Sequence, residues 1–107
     1  MEQLGQLASH LFIFERRGKA EWDARFLGDA AKKLLGAPAN EPTLSKLENC
    51  RLAARLRLLF GWVEETREAV SATFISPDQS GEILVAPLGG DGQKVEGVYG
   101  GIVARHP

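Results

Sequence analysis

Apolar positions recur at three- and four-residue intervals through the first two thirds of the chain. Leu4, Leu7, Ala8, Leu11 and Phe14 share one helical face and predict a first helix over about residues 2–16. Gly18 is a natural stop for it. Ala20, Ala24, Leu27, Ala30, Ala31 and Leu34 form a second stripe, which predicts a helix over about residues 19–35. Gly36 and Pro38 close it, in the usual order of glycine cap and then proline.

The third predicted helix opens near Pro42 or Thr43 and runs to about Ala69. At ~100° per residue, Leu44, Leu47, Cys50, Ala54 and Leu58 fall on one flank. Leu52, Leu56, Leu59 and Val63 fall on another, with Glu48, Arg51 and Arg55 on the strip between. A helix apolar on nearly every side is a buried one. It needs the rest of the domain, or a second molecule, wrapped around it. Gly61 weakens the helix by ~1 kcal/mol relative to alanine without ending it.

The pattern then changes to short β-rich runs. Residues 72–76, 82–88 and 94–104 read as three strands, separated by Pro77-Asp78-Gln79-Ser80-Gly81 and by Gly89-Gly90-Asp91-Gly92. Helices followed by strands predict an α+β fold: three N-terminal helices, the third long, central and apolar, then a three-stranded antiparallel meander. The length suits one domain over residues 1–107, helical over about 2–70 and a meander over about 72–104. Gly97, Gly100 and Gly101 weaken the last strand and suggest a bulge, a bend or an exposed edge.

Charge divides the chain in the same place. Residues 1–61 carry ten Lys/Arg against seven Asp/Glu, and residues 62–107 carry three against seven. The net charge of −1 gives no general drive toward nucleic acid or anionic lipid. Cys50 is the one cysteine, which excludes an intramolecular disulfide and fits a reducing compartment. The N-terminus lacks a basic region ahead of its apolar residues, and no apolar run reaches the ~20 residues of a spanning helix. The expectation is a cytoplasmic protein without membrane contact.

Candidate binding residues come from the helices. Glu48, Arg51 and Arg55, at i, i+3 and i+7, form an internal ion network, a site for a carboxylate or phosphate anion, or a strip that meets carboxylates of a partner. Trp22 and Phe26, four apart, project from the second predicted helix opposite its small-residue stripe. Together with Trp62 they are candidate interface anchors. Residues 30–52 (AAKKLLGAPANEPTLSKLENCRL) loosely resemble the turn and recognition-helix start of bacterial helix-turn-helix regulators. That resemblance implies DNA contacts from Lys33, Thr43 and Lys46. Its connection, Gly36 to Thr43, is longer than the usual 3–4 residues.

Catalytic chemistry has little to build on. His10 and His106 stand at no meaningful spacing from Cys50 or from a serine. One cysteine and two histidines make a poor zinc site. Glu64, Glu65 and Glu68 read as a solvated helix face. Neither glycine cluster leads from a strand into a helix, so neither is a phosphate loop. Tyr99, between glycines, is a candidate floor for a small pocket between the third helix and the sheet. The sequence therefore points to a non-enzymatic interaction or regulatory module without metal or cofactor. It would bind itself, through the third helix or the last strand, or another protein. A DNA-binding regulator and a small-molecule binder are the alternatives.

Overall fold

A computed structural model describes residues 8–19, 21–40, 42–75, 80–89 and 95–105. The expected turns at 76–79 and 90–94, and the start of the first expected helix, lie outside them. The elements in chain order are β1 (Leu11–Arg17), β2 (Glu21–Leu27), α1 (Asp29–Leu35), a 3-10 turn (Leu44–Lys46), α2 (Cys50–Thr66), β3 (Val70–Ile75), β4 (Ser80–Leu88) and β5 (Gly97–Arg105). They form one five-stranded antiparallel sheet in the order β2-β1-β5-β4-β3, with both helices on one face.

This overturns the expectation of three N-terminal helices ahead of a three-stranded meander. Ala8 and Ser9 are helical, but from Leu11 the chain is extended. The first two expected helices are largely a β-hairpin turning at Gly18, whose φ is 65°. The physical reason lies in the alternation of β1. Phe12 and Phe14 point into the core and Leu11 and Ile13 point away from it, so both rows are apolar. A strand normally announces itself by apolar–polar alternation. Here that signal is erased, and accidental helical spacing takes its place. β3, β4 and β5 do pair in succession, and β5 then joins β1. β5 is thus the central strand, which removes the expected exposed edge at the last strand.

The segment around residues 43–49 is also not helical, apart from the 3-10 turn. Leu44 and Leu47 are buried three apart on that turn rather than on one long helix. α2 begins after Asn49, whose side chain accepts from the Leu52 N–H at 3.2 Å and donates to the Leu34 carbonyl at 3.0 Å. One residue thus caps α2 and ties it to α1. The helix runs through Gly61 unbroken and ends where Arg67 adopts a left-handed φ of 61°.

Leu52, Leu56, Leu59, Phe60 and Val63 of α2 pack on the inner row of the sheet. Phe60 is the hub, with ring centroids 5.2 Å from Phe14, 6.1 Å from Phe12 and 5.1 Å from Trp22. Edge-on and tilted contacts of this kind add to the burial of the rings themselves. The Arg16 guanidinium lies 5.3 Å from the Trp22 ring and pairs with Glu64 at 2.7 Å, so a charged lid closes this end of the core. Glu21 ties the start of β2 to the 3-10 turn, accepting from the Trp22 and Ser45 N–H groups at 3.1 and 3.2 Å.

Gly81 of β4 and Gly100 of β5 are steric necessities. A Cβ on Gly100 would collide with the Leu84 carbonyl oxygen, and one on Gly81 with the Val103 carbonyl oxygen and the Phe74 ring.

Candidate functional site

A strand in a helix-covered sheet has one row of side chains for the core and one for whatever lies on the other side. Here the second row is largely apolar over β1, β5 and β4, and no described element covers it. Register places Ile13 beside Tyr99 and Tyr99 beside Ala86. It also places Leu11 beside Gly101 and Gly101 beside Leu84. Leu11, Phe26, Leu84, Leu88, Tyr99 and Val103 are each 40–53% exposed on this face. Together they offer several hundred Å2 of mostly apolar surface, in the range of the largest patch on a typical monomer. Gly97 and Gly101 carry no side chain on this row, so a depression lies on either side of Tyr99 along β5.

Two open clefts share Ile13 and Leu88 on this face. One, of about 410 Å3, is lined by Leu11, Phe26, Leu88 and Tyr99. The other, of about 740 Å3, extends toward Glu15, Lys19 and Glu96. A paired charge bounds the patch: Arg25 donates to both carboxylate oxygens of Glu15, at 3.0 and 3.1 Å. The hydrogen bonds and charge of Glu15 push the Arg25 pKa up.

The residues singled out in the sequence are dispersed by the fold. Trp22 and Phe26 do not share a face. Trp22 is buried against Phe60 and is a core residue, so its expected role as an interface anchor is withdrawn. A register shift opposite Ile13 and Phe14 turns Phe26 to the open face of the sheet. Tyr99 lies on that same outer face, on the far side of the sheet from α2, and the expected pocket between helix and sheet is filled by the Phe12, Phe14 and Phe60 rings. Leu11, Leu84, Leu88 and Val103 went unnoticed as site residues. Their signal is an apolar second row in strands already carrying an apolar first row.

The described residues of 30–52 do not form a helix-turn-helix. α1 is a seven-residue helix, and residues 36–49 separate it from α2. Thr43 is buried beside β2, bridging Asp23, and cannot reach a base, whereas Lys33 and Lys46 are exposed.

Arg51, Arg55 and Trp62 are exposed on α2. The expected Glu48–Arg51–Arg55 network is not formed among the described residues. The two arginines instead border a cleft of about 480 Å3 between α2 and the end of β3, with Leu58, Phe74 and Ile75. Of the expected acidic face, Glu64 is paired with Arg16 while Glu65 and Glu68 are exposed.

His10 and Cys50 are not a pair. The His10 ring nitrogen Nδ1 lies 3.2 Å from the Ile102 carbonyl oxygen, and the Cys50 thiol is 3.6 Å from the Glu48 carbonyl oxygen. Among the described residues no three His, Cys, Asp or Glu side chains gather where they could hold a metal ion. No described helix is long and apolar enough to cross a membrane. No protein family model, no curated protein and no solved structure matches this chain.

Proposed function

We propose that this chain is a non-enzymatic protein-docking module whose open sheet face receives the apolar side of an amphipathic helix. The observation that carries the reading is the second apolar row of β1, β5 and β4, open opposite a complete core. Sheets are normally buried on the faces that are apolar, and a helix is the layer that suits them. The depressions at Gly97 and Gly101 flank the Tyr99 ring, which gives side chains of a docked helix two places to seat around one aromatic anchor. Glu15, Arg25 and Lys19 at one end supply polar contacts for the rim.

A photoreactive phenylalanine analogue at position 99, used in native extract, tests this. It should yield a discrete cross-linked adduct that disappears when Leu84→Glu is added to the same chain. The analogue at Asp29, exposed on the helical side, should yield none. Equal yields at the two positions, or an adduct indifferent to Leu84→Glu, would defeat the reading.

A second reading follows from the cleft around Tyr99, whose lining of Leu11, Phe26 and Leu88 suits a small apolar ligand. It requires ligand-dependent thermal stabilisation that Tyr99→Glu abolishes.

A further inference from the structure

The exposed side of α2 carries a pattern that its own fold leaves unexplained. Arg51, Arg55, Leu58, Trp62 and Glu65 follow one another at spacings of four, three, four and three, which is the seam spacing of paired helices. All five are exposed, with Leu58 at 52% and Trp62 at 49%. Gly61 lies beside them in the helix interior, where glycine costs ~1 kcal/mol relative to alanine. A Cβ at Gly61 would meet nothing within 4 Å, so packing within the chain does not require glycine there. A backbone arriving from outside would.

The seam is also polar along its length. Its N-terminal half holds Arg51 and Arg55, and its C-terminal half holds Glu65, with Glu68 exposed just beyond. No ion pair engages any of these four among the described residues. The cleft beside Arg51, Arg55 and Leu58 is a socket at one end, and Trp62 is a knob toward the other. A single chain cannot place its own Trp62 in its own cleft, because both belong to one rigid helix.

We infer that α2 pairs with α2 of a second copy, antiparallel about a two-fold axis near Phe60 and Gly61. That orientation sets Leu58 against the partner's Trp62 and Arg55 against the partner's Glu65. It seats each Trp62 in the other copy's cleft and lets the backbones approach at Gly61. A parallel pair would set arginine against arginine and leave both sockets empty. The contact is closed and self-complementary, as a two-fold interface must be. It uses a different surface from the sheet face and stands whether or not that face binds a helix.

The test needs no added label site, because Cys50 is the sole cysteine and is exposed. A spin label on Cys50 in the full chain should report an intermolecular distance of roughly 30 Å, from twice ten residues at 1.5 Å rise. Light scattering should show the mass doubling with concentration. Arg55→Glu should weaken the dimer at least tenfold, and adding Glu65→Arg should restore it. Both positions are exposed, so neither change threatens the fold. A monomer at every concentration overturns the inference. So does a dimer with labels within about 15 Å of each other, the parallel arrangement. A dimer that ignores Arg55→Glu but is broken by Tyr99→Glu also overturns it, and assigns self-association to the sheet face instead.

Discussion

Replacing Gly61 with alanine separates what the fold needs from what an interface needs. Gly61 sits well inside α2, eleven residues from its first residue and five from its last. Its added methyl would have open space, with nothing within 4 Å. The only change within the monomer is therefore helix propensity, worth about 1 kcal/mol in favour of alanine. For a domain near 100 residues that corresponds to a rise in Tm of roughly 4–8 °C. Urea unfolding at low protein concentration, where a helix-paired dimer is dissociated, should show the midpoint move up with an unchanged slope. Light scattering at high concentration should show the opposite sign, with association weakened because the methyl stands between two backbones. A variant that is less stable as a monomer would refute the reasoning, since it would mean that the fold itself requires glycine here. A stabilised variant that associates as before would leave the glycine unrelated to any contact on this side of α2.

Other substitutions follow from the same geometry. Gly100→Ala should cost about 3 kcal/mol or more by urea unfolding, because its methyl has no room beside the Leu84 carbonyl oxygen. Thr43→Val should stabilise by about 1 kcal/mol, since the Thr43 hydroxyl is buried with no hydrogen-bond partner among the described residues and valine removes that desolvated group. Glu21 predicts a pH dependence. Burial alone would raise its pKa, but the hydrogen bonds from Ser45 and Trp22 and the Arg57 charge outweigh it, and the net shift is downward from 4.5. A lowered folded-state value stabilises at pH above 4.5, and that stability is lost as pH falls through the folded value. Urea midpoints measured from pH 6 to pH 3 should drop in that window, and Glu21→Gln should make the drop shallower.

The part of the chain that could be read without coordinates is the part where only one physical signal operates. Residues 80–88 and 97–105 are bounded by dense turn chemistry and rich in β-branched residues, so their extended form is legible. The interior of α2 is legible because Leu52, Leu56, Leu59 and Val63 keep one face through Gly61. β1 and β2 are not, for two reasons. Over Leu11–Phe14 the outer row of β1 is as apolar as its inner row, which cancels the alternation that marks a strand. In β2 the register shift puts Trp22 inside and Phe26 outside, although their four-residue spacing imitates a helical pair. The open sheet face was hidden by the same cancellation. Arg51, Arg55 and Trp62 stand out because they interrupt or exceed what a buried helix needs, and the fold leaves them exposed, together with Leu58 of the flank expected to be buried.

Two apolar rows also bear on how the sheet finds its pairing. In an ordinary half-buried sheet, a slip of one residue is punished because it exchanges the apolar and polar rows. Exchanging Ile83 and Val85 of β4 for Leu84 and Ala86 carries little such penalty. The close approaches at β5 supply it instead. A slip in one direction carries Tyr99 to the place of Gly100, against the Leu84 carbonyl. A slip in the other carries Val98 to the place of Gly97, where an added Cβ would stand 2.8 Å from the Phe14 carbonyl oxygen. The glycines of the central strand thus act as a lock on alignment, and their substitution should trade one native pairing for several near-equal ones.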